Sequence, residues 1–121
     1  MASSTMELCL RAKRAAASVA TLRTEQKNEA LLKMAEKLEE KEAAILAANA
    51  EDLAEAEKNG IGTVMADRLR LTSARIKGMA DGLRALAELP DPVGKVDRTI
   101  MRPNGLLIQK VRVPLGVIAI I

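Results

Sequence analysis

Residues Gly116 to Ile121 form an apolar run in which polar and apolar positions never alternate. Alternation marks a strand with one wet face. Its absence marks a strand covered on both faces, the kind found inside parallel sheets. Such a strand requires sheet neighbours and covering helices, and a soluble protein rarely stops on one. The expectation is therefore that these residues are the front part of a larger α/β protein, and that they hold no catalytic site of their own.

Composition supports a thin, helix-rich layer. The chain has 121 residues, enough for one ordinary domain. Hydrophobic residues make up 49%, yet Phe, Tyr and Trp are absent, so any core rests on aliphatic side chains and alanine. Aromatic residues normally bury the largest single areas. Histidine is also absent, which removes the commonest general base and the commonest metal ligand. The single Cys9 excludes an internal disulfide framework and suits a reducing compartment. The net charge of +3 comes from interleaved acids and bases, with no aromatic platform or zinc spacing, so no nucleic-acid partner is expected. Glu7, Arg11 and Lys13 interrupt any signal-like start. No stretch approaches the roughly 20 apolar residues that span a bilayer, so no membrane partner is expected and the cytoplasm is the default.

Helical signals dominate the first 89 residues. Ser4 and Glu7 have capping-box spacing. Leu8, Ala12, Ala15, Ala16 and Val19 then mark one apolar stripe to about Leu22. A second helix starts at Thr24, with Leu31, Met34, Ala35 and Leu38 on its inner face. The pattern runs without Pro or Gly to Lys58, and Gly60 supplies a stop. A continuous helix from Glu25 to Lys58 would be about 50 Å long, against a diameter of about 35 Å for a compact domain of this size. Breaks are expected near Glu40 and Asn49, because Asn favours caps over helix interiors. A short helix follows around Met65 to Leu69. Thr72 then caps an amphipathic helix with Ile76, Met79, Ala80, Leu83, Leu86 and Ala87 on one face, ended by Pro90 and Pro92. Thr99 to Arg102 and Leu106 to Val113 flank Pro103-Asn104-Gly105 and predict a hairpin, since Asn and Gly both tolerate positive φ. Lys110 and Arg112 on one face protect such a ribbon against random pairing.

Candidate chemistry is sparse. Cys9 lies near the start of a helix, where a thiol pKa can fall, but no histidine is present to act as base. Its plain reading is a small, partly buried residue. Glu39, Glu40 and Glu42, and then Glu51, Asp52, Glu55 and Glu57, alternate with Lys37, Lys41 and Lys58, as on solvated helix faces with i,i+4 pairs. No metal site is expected there. Asp67 and Arg68 are expected to tie the short helix to the next one, with Leu69, Leu71 and Arg75 nearby. Met34, Met65 and Met79 read as core filler. No glycine-rich phosphate loop is present. No catalytic, cofactor-binding or metal-binding residue is therefore assigned.

Seven pieces carry a resemblance, in this order: Ala44 to Asp52; Asp67 to Leu69; Leu71-Thr72 with Arg75-Ile76; Gly82 to Arg84; Asp91 to Gly94; Asn104 to Leu106; and Arg112 to Val117. Each is weak alone. Together, from about Arg11 to Ile121, they resemble the N-terminal region of the γ-glutamyl phosphate reductases, also called glutamate-5-semialdehyde dehydrogenases, of the aldehyde dehydrogenase superfamily.

The resemblance implies NADPH-dependent reduction of γ-glutamyl phosphate to glutamate 5-semialdehyde and phosphate, in proline biosynthesis. It implies a cysteine thiolate that attacks the acyl group and expels phosphate, and hydride transfer that reduces the thioester. That cysteine lies far downstream, and Cys9 does not match it. The resemblance also implies an architecture. Residues 1–96 are helices of the cofactor-binding part, and 97–115 are a ribbon for subunit contact, with a homo-oligomer formed through the 98–113 hairpin. Residues 116–121 are the first strand of a Rossmann-like sheet, truncated. NADPH is expected in the full-length parent and none on this chain alone. A fused kinase–reductase is disfavoured, because Met1 leads at once into the first helix. The alternative is a non-catalytic helical interaction module with a β-ribbon.

Overall fold

The computed structural model describes residues 4–118 and 120, and divides into two compact units. One contains the residues up to Thr24 together with those from Pro90 onward, and the other runs from Glu25 to Leu89. The elements are helices α1 (Thr5–Val19), α2 (Thr24–Glu40), α3 (Glu42–Lys58), α4 (Thr63–Leu69) and α5 (Ser73–Glu88), then strands β1 (Val96–Met101) and β2 (Leu107–Val111).

In the Glu25–Leu89 unit, the long helical pattern breaks once among the described residues, at Lys41 (φ −96°, ψ 9°). That agrees with the break expected near Glu40. The break expected near Asn49 does not occur, and α3 passes through it. Asn disfavours helix interiors when its side chain competes for its own backbone. Here the Asn49 amide reaches outward instead. Its Nδ2 donates to the Leu69 carbonyl (2.9 Å) and its Oδ1 accepts from the Leu71 N–H (2.7 Å). At 7% exposure it is buried, and both its polar atoms are used.

Gly60 ends α3 with φ +70°. Ile61 N–H reaches the Ala56 carbonyl and Gly60 N–H the Glu57 carbonyl, the paired bonds of a Schellman stop. Thr72 Oγ1 accepts from Arg75 N–H and starts α5 as expected. The connection from α4 is tied by Asp67 with Arg75, rather than by Asp67 with Arg68. One guanidinium nitrogen of Arg75 donates to the Asp67 and Arg70 carbonyls, and the other lies 3.1 Å from the Asp67 carboxylate. Arg75 lies one turn into α5, so its side chain spans back to the loop; Arg68 belongs to α4 itself.

The buried apolar residues of this unit are Ala35, Ala56, Ile76 and Ala80. Three alanines let the helix backbones approach closely, and Ile76 is the one large side chain fully enclosed among the described residues. Burying a side chain of that size stabilises by about 1.5–3 kcal/mol. The rest of the expected inner faces stays open. Met34, Met65 and Met79 are 54%, 57% and 42% exposed, so their reading as core filler is corrected. The physical reason is that the described residues supply no second layer over those faces.

Across α2 and α5, Arg84 grips Glu39 through two parallel bonds of 2.6 and 2.9 Å, and also meets Asp81 at 3.1 Å. Lys77 meets Asp81 at 2.7 Å. The hydrogen bonds from Arg84 hold the Glu39 carboxyl below its ordinary range, against a smaller opposing effect of desolvation.

In the other unit, Ser4 and Glu7 form the expected capping box at the start of α1. Its stripe is only half-covered at Ala12 and Ala16, while Leu8 and Val19 are exposed. Asp91 accepts from the Thr24 hydroxyl (2.9 Å) and from Val93 N–H (3.0 Å). The strands pair antiparallel, with Ile100 opposite Ile108, Thr99 opposite Gln109 and Arg98 opposite Lys110. The register shifts between Val96 and Arg98, leaving Asp97 as a bulge. The hairpin stands where expected, but its turn differs. Gly105 N–H bonds the Arg102 carbonyl, and only Gly105 takes positive φ (+83°). Pro103 fixes the second turn position, Asn104 keeps negative φ, and the result is a type I turn followed by a left-handed glycine. Asn104 instead caps the turn by accepting from Leu106 N–H (3.1 Å). Residues 116–118 and 120, within the expected strand, have no ladder partner; Ala119 and Ile121 lie outside the described residues.

Two outcomes follow from the Glu25–Leu89 unit. Asn49→Ala strands a donor and an acceptor on the 69–71 loop, so stability falls by about 1–3 kcal/mol. Hydrogen exchange at the Leu71 amide then speeds by roughly tenfold or more, which native-state exchange measures. Glu39 has a depressed folded pKa, so its contribution is complete above the unfolded carboxylate value of about 4.3 and disappears as pH falls through the folded value. Glu39→Gln should therefore flatten the acid limb of stability against pH, measured by urea denaturation.

Candidate functional site

The sequence candidates do not converge. Cys9 sits in the second turn of α1 with its side chain exposed, correcting the expectation of partial burial. It lines a groove of about 420 Å³ with Leu8, Ala12, Lys13, Gly116 and Val117. That wall is apolar apart from Lys13, and it holds neither a general base nor oxyanion donors. A thiol without them is not a poised nucleophile.

The acidic residues divide among separate ion pairs. Glu40 pairs with Lys37, Glu55 with Lys58 (3.5 Å) and Glu39 with Arg84. The carboxylates point around their helices because helical spacing disperses neighbours in sequence. No group of three or more metal-type side chains gathers among the described residues. Asp67 is committed to Arg75, a structural contact. A second groove, of about 560 Å³, runs along α3 and α4, with Glu57, Thr63 and Arg70 at its edge and Leu53 and Ile61 on its floor. All three polar side chains are exposed.

These features do not fit a dinucleotide. Phosphate binding needs clustered backbone N–H groups, usually on a glycine-rich turn at a helix start. α1 starts instead at a Ser4 cap whose hydroxyl already takes the Glu7 N–H. Gly60 and Gly62 flank the α3–α4 turn, but α4 is a single short helix with an exposed groove beside it.

Sequence reading missed the contacts that hold the fold. Glu39 and Arg84 are 45 positions apart, and no local pattern links them. Asn49 did carry a signal, a polar residue inside an apolar helical stretch, but it pointed to a break instead of a clasp. The basic residues of the hairpin are dispersed in sequence and gather only when the strands pair.

No helix among the described residues is long and apolar enough to cross a membrane. No protein-family model matches the chain. Whole-protein comparison gives a clear result. The chain is 57% identical over 111 residues to the γ-glutamyl phosphate reductase of Moorella thermoacetica, and 53% identical over 116 residues to that of Carboxydothermus hydrogenoformans. These alignments cover 92% and 96% of this chain, but only 27% and 28% of the relatives. Among solved structures, the γ-glutamyl phosphate reductase of Thermotoga maritima superposes with a TM-score of 0.83 at 37% identity, over 90% of this chain and 26% of that one. The Saccharomyces cerevisiae enzyme gives 0.82 at 30% identity, over 93% and 29%. The chain thus spans little more than a quarter of the length of its relatives. Over that span, it belongs to the γ-glutamyl phosphate reductase family.

Proposed function

We propose that these residues serve as the N-terminal, non-catalytic quarter of an NADPH-dependent γ-glutamyl phosphate reductase with an aldehyde dehydrogenase-like fold. The whole protein would convert γ-glutamyl phosphate to glutamate 5-semialdehyde and phosphate, in the cytoplasm, for proline biosynthesis. The observation that carries this reading is the identity of 49–57% across more than nine-tenths of the chain.

Within that protein the segment has a mechanical role. Its helices present apolar faces, including Met34, Met79 and Leu86, to layers outside the chain. The 98–113 hairpin serves as the subunit contact of a homo-oligomer, and residues 116–121 enter the cofactor sheet. The thiolate nucleophile is supplied elsewhere, and Cys9 takes no part in the reaction. NADPH is held by other parts of the protein, because the grooves described above lack its phosphate donors.

The test is a chimaera in which this chain replaces the matching quarter of the Moorella thermoacetica reductase. It should restore growth without proline to a strain lacking the enzyme, and it should oxidise NADPH in the presence of γ-glutamyl phosphate. The chain by itself should show neither activity, bind a hydrophobic dye and unfold without a cooperative transition, as uncovered apolar faces dictate. A folded, cooperative chain together with an inactive chimaera would favour a free-standing interaction module. Cys9→Ser in the chimaera should leave turnover within about twofold of the unsubstituted protein, since a nucleophile would lose orders of magnitude.

A further inference from the structure

The net charge of the chain is concentrated in one place. Residues 96–113 hold four cations, Arg98, Arg102, Lys110 and Arg112, and one carboxylate, Asp97. Their balance of +3 equals that of the whole chain, so the remaining residues sum to zero. The one carboxylate is already engaged, since Arg112 Nε meets both its oxygens at 2.9 and 3.1 Å.

Register places two of the other cations together. Arg98 and Lys110 are directly opposite on the same face as the Ile100–Ile108 pair. Like charges directly opposite across a ladder are destabilising, and neither finds a carboxylate among the described residues. Elsewhere the helices pair their cations readily, as Lys33 does with Glu29 and Lys77 with Asp81. The two isoleucines beside the charged pair complete a small apolar centre with a cationic edge. Interfaces between proteins are built this way, apolar inside and polar at the rim. A two-stranded ribbon alone in water is marginal at best and needs covering.

We propose that the Ile100–Ile108 face of the hairpin docks on a carboxylate-rimmed apolar surface of a second subunit, with Arg98 and Lys110 meeting its acids. This rests on the reading of the hairpin as a subunit contact and adds which face engages and by what chemistry. Charge complementarity is the argument: a cation pair that repels itself in the free ribbon becomes an attraction against an acidic partner. A nucleic-acid partner is less well matched, because single-stranded bases are held by aromatic stacking and the chain has no aromatic residue.

The experiment uses the active chimaera, with subunit association measured by sedimentation. Raising salt from about 0.05 to about 0.5 M should weaken association by about tenfold or more, through screening of the rim charges. Arg98→Glu with Lys110→Glu should weaken it similarly at low salt, while Arg98→Lys with Lys110→Arg should restore it. Thr99→Ala with Gln109→Ala, on the opposite face, should change it by no more than about twofold. Circular dichroism matching the parent shows that each variant is folded. Association unchanged by salt and by charge reversal overturns the proposal, as does loss of bound nucleic acid on reversal with subunit association intact. A chimaera that is inactive and unfolded fails the reductase reading itself, a result distinguishable from either.

Discussion

The Glu25–Leu89 unit depends on how Asn49 is satisfied. A buried amide must find partners for its donors and its acceptor, and here it finds them in the backbone on either side of Arg70. Those bonds fix where the chain leaves α4. Arg75, one turn into α5, fixes the same loop from the other side through the Asp67 and Arg70 carbonyls. The direction of α5 follows, and with it the burial of Ile76 and Ala80. A polar clasp thus does what a bulky core does in larger domains, in a unit whose buried apolar residues are mostly alanine.

Much of this fold was legible in the sequence because its signals are local. The capping box at Ser4, the stop at Gly60, the cap at Thr72 and the hairpin around Pro103-Asn104-Gly105 each involve residues within a few positions of one another. What was not legible is long-range or conditional. Asn49 could disrupt its helix or reach across to another segment, and only the position of residues 69–71 decides between these. Proline at position 103 decided the turn: with its φ fixed, Asn104 had no need of a left-handed conformation. The methionines were assigned to the core because apolar periodicity identifies the face to be covered, but not whether the cover belongs to the same chain.

The site reading followed the same logic. Absence of histidine and of a phosphate loop is visible in composition and spacing, and the dispersed carboxylates match it. The family resemblance was carried by short pieces whose order mattered more than any one of them. Several have structural roles, which explains why so weak a set of motifs is informative. Ala44 to Asp52 contains Asn49, the Asp67 to Leu69 piece supplies the carboxylate that Arg75 holds, and Gly82 to Arg84 supplies the partner of Glu39.

The bulge at Asp97 has a consequence for how copies of this ribbon can meet. An extra residue on one strand increases the local right-handed twist. A coiled ribbon cannot lie flat against a translated copy of itself, so the stacked, in-register arrangement of fibrils is geometrically blocked. The aspartate left over by the register shift is held by Arg112, which maintains the twist at the end where the strands enter the hairpin. A segment as aliphatic as Leu106 to Ile108 can therefore stay exposed until its proper surface arrives, shielded by its curvature.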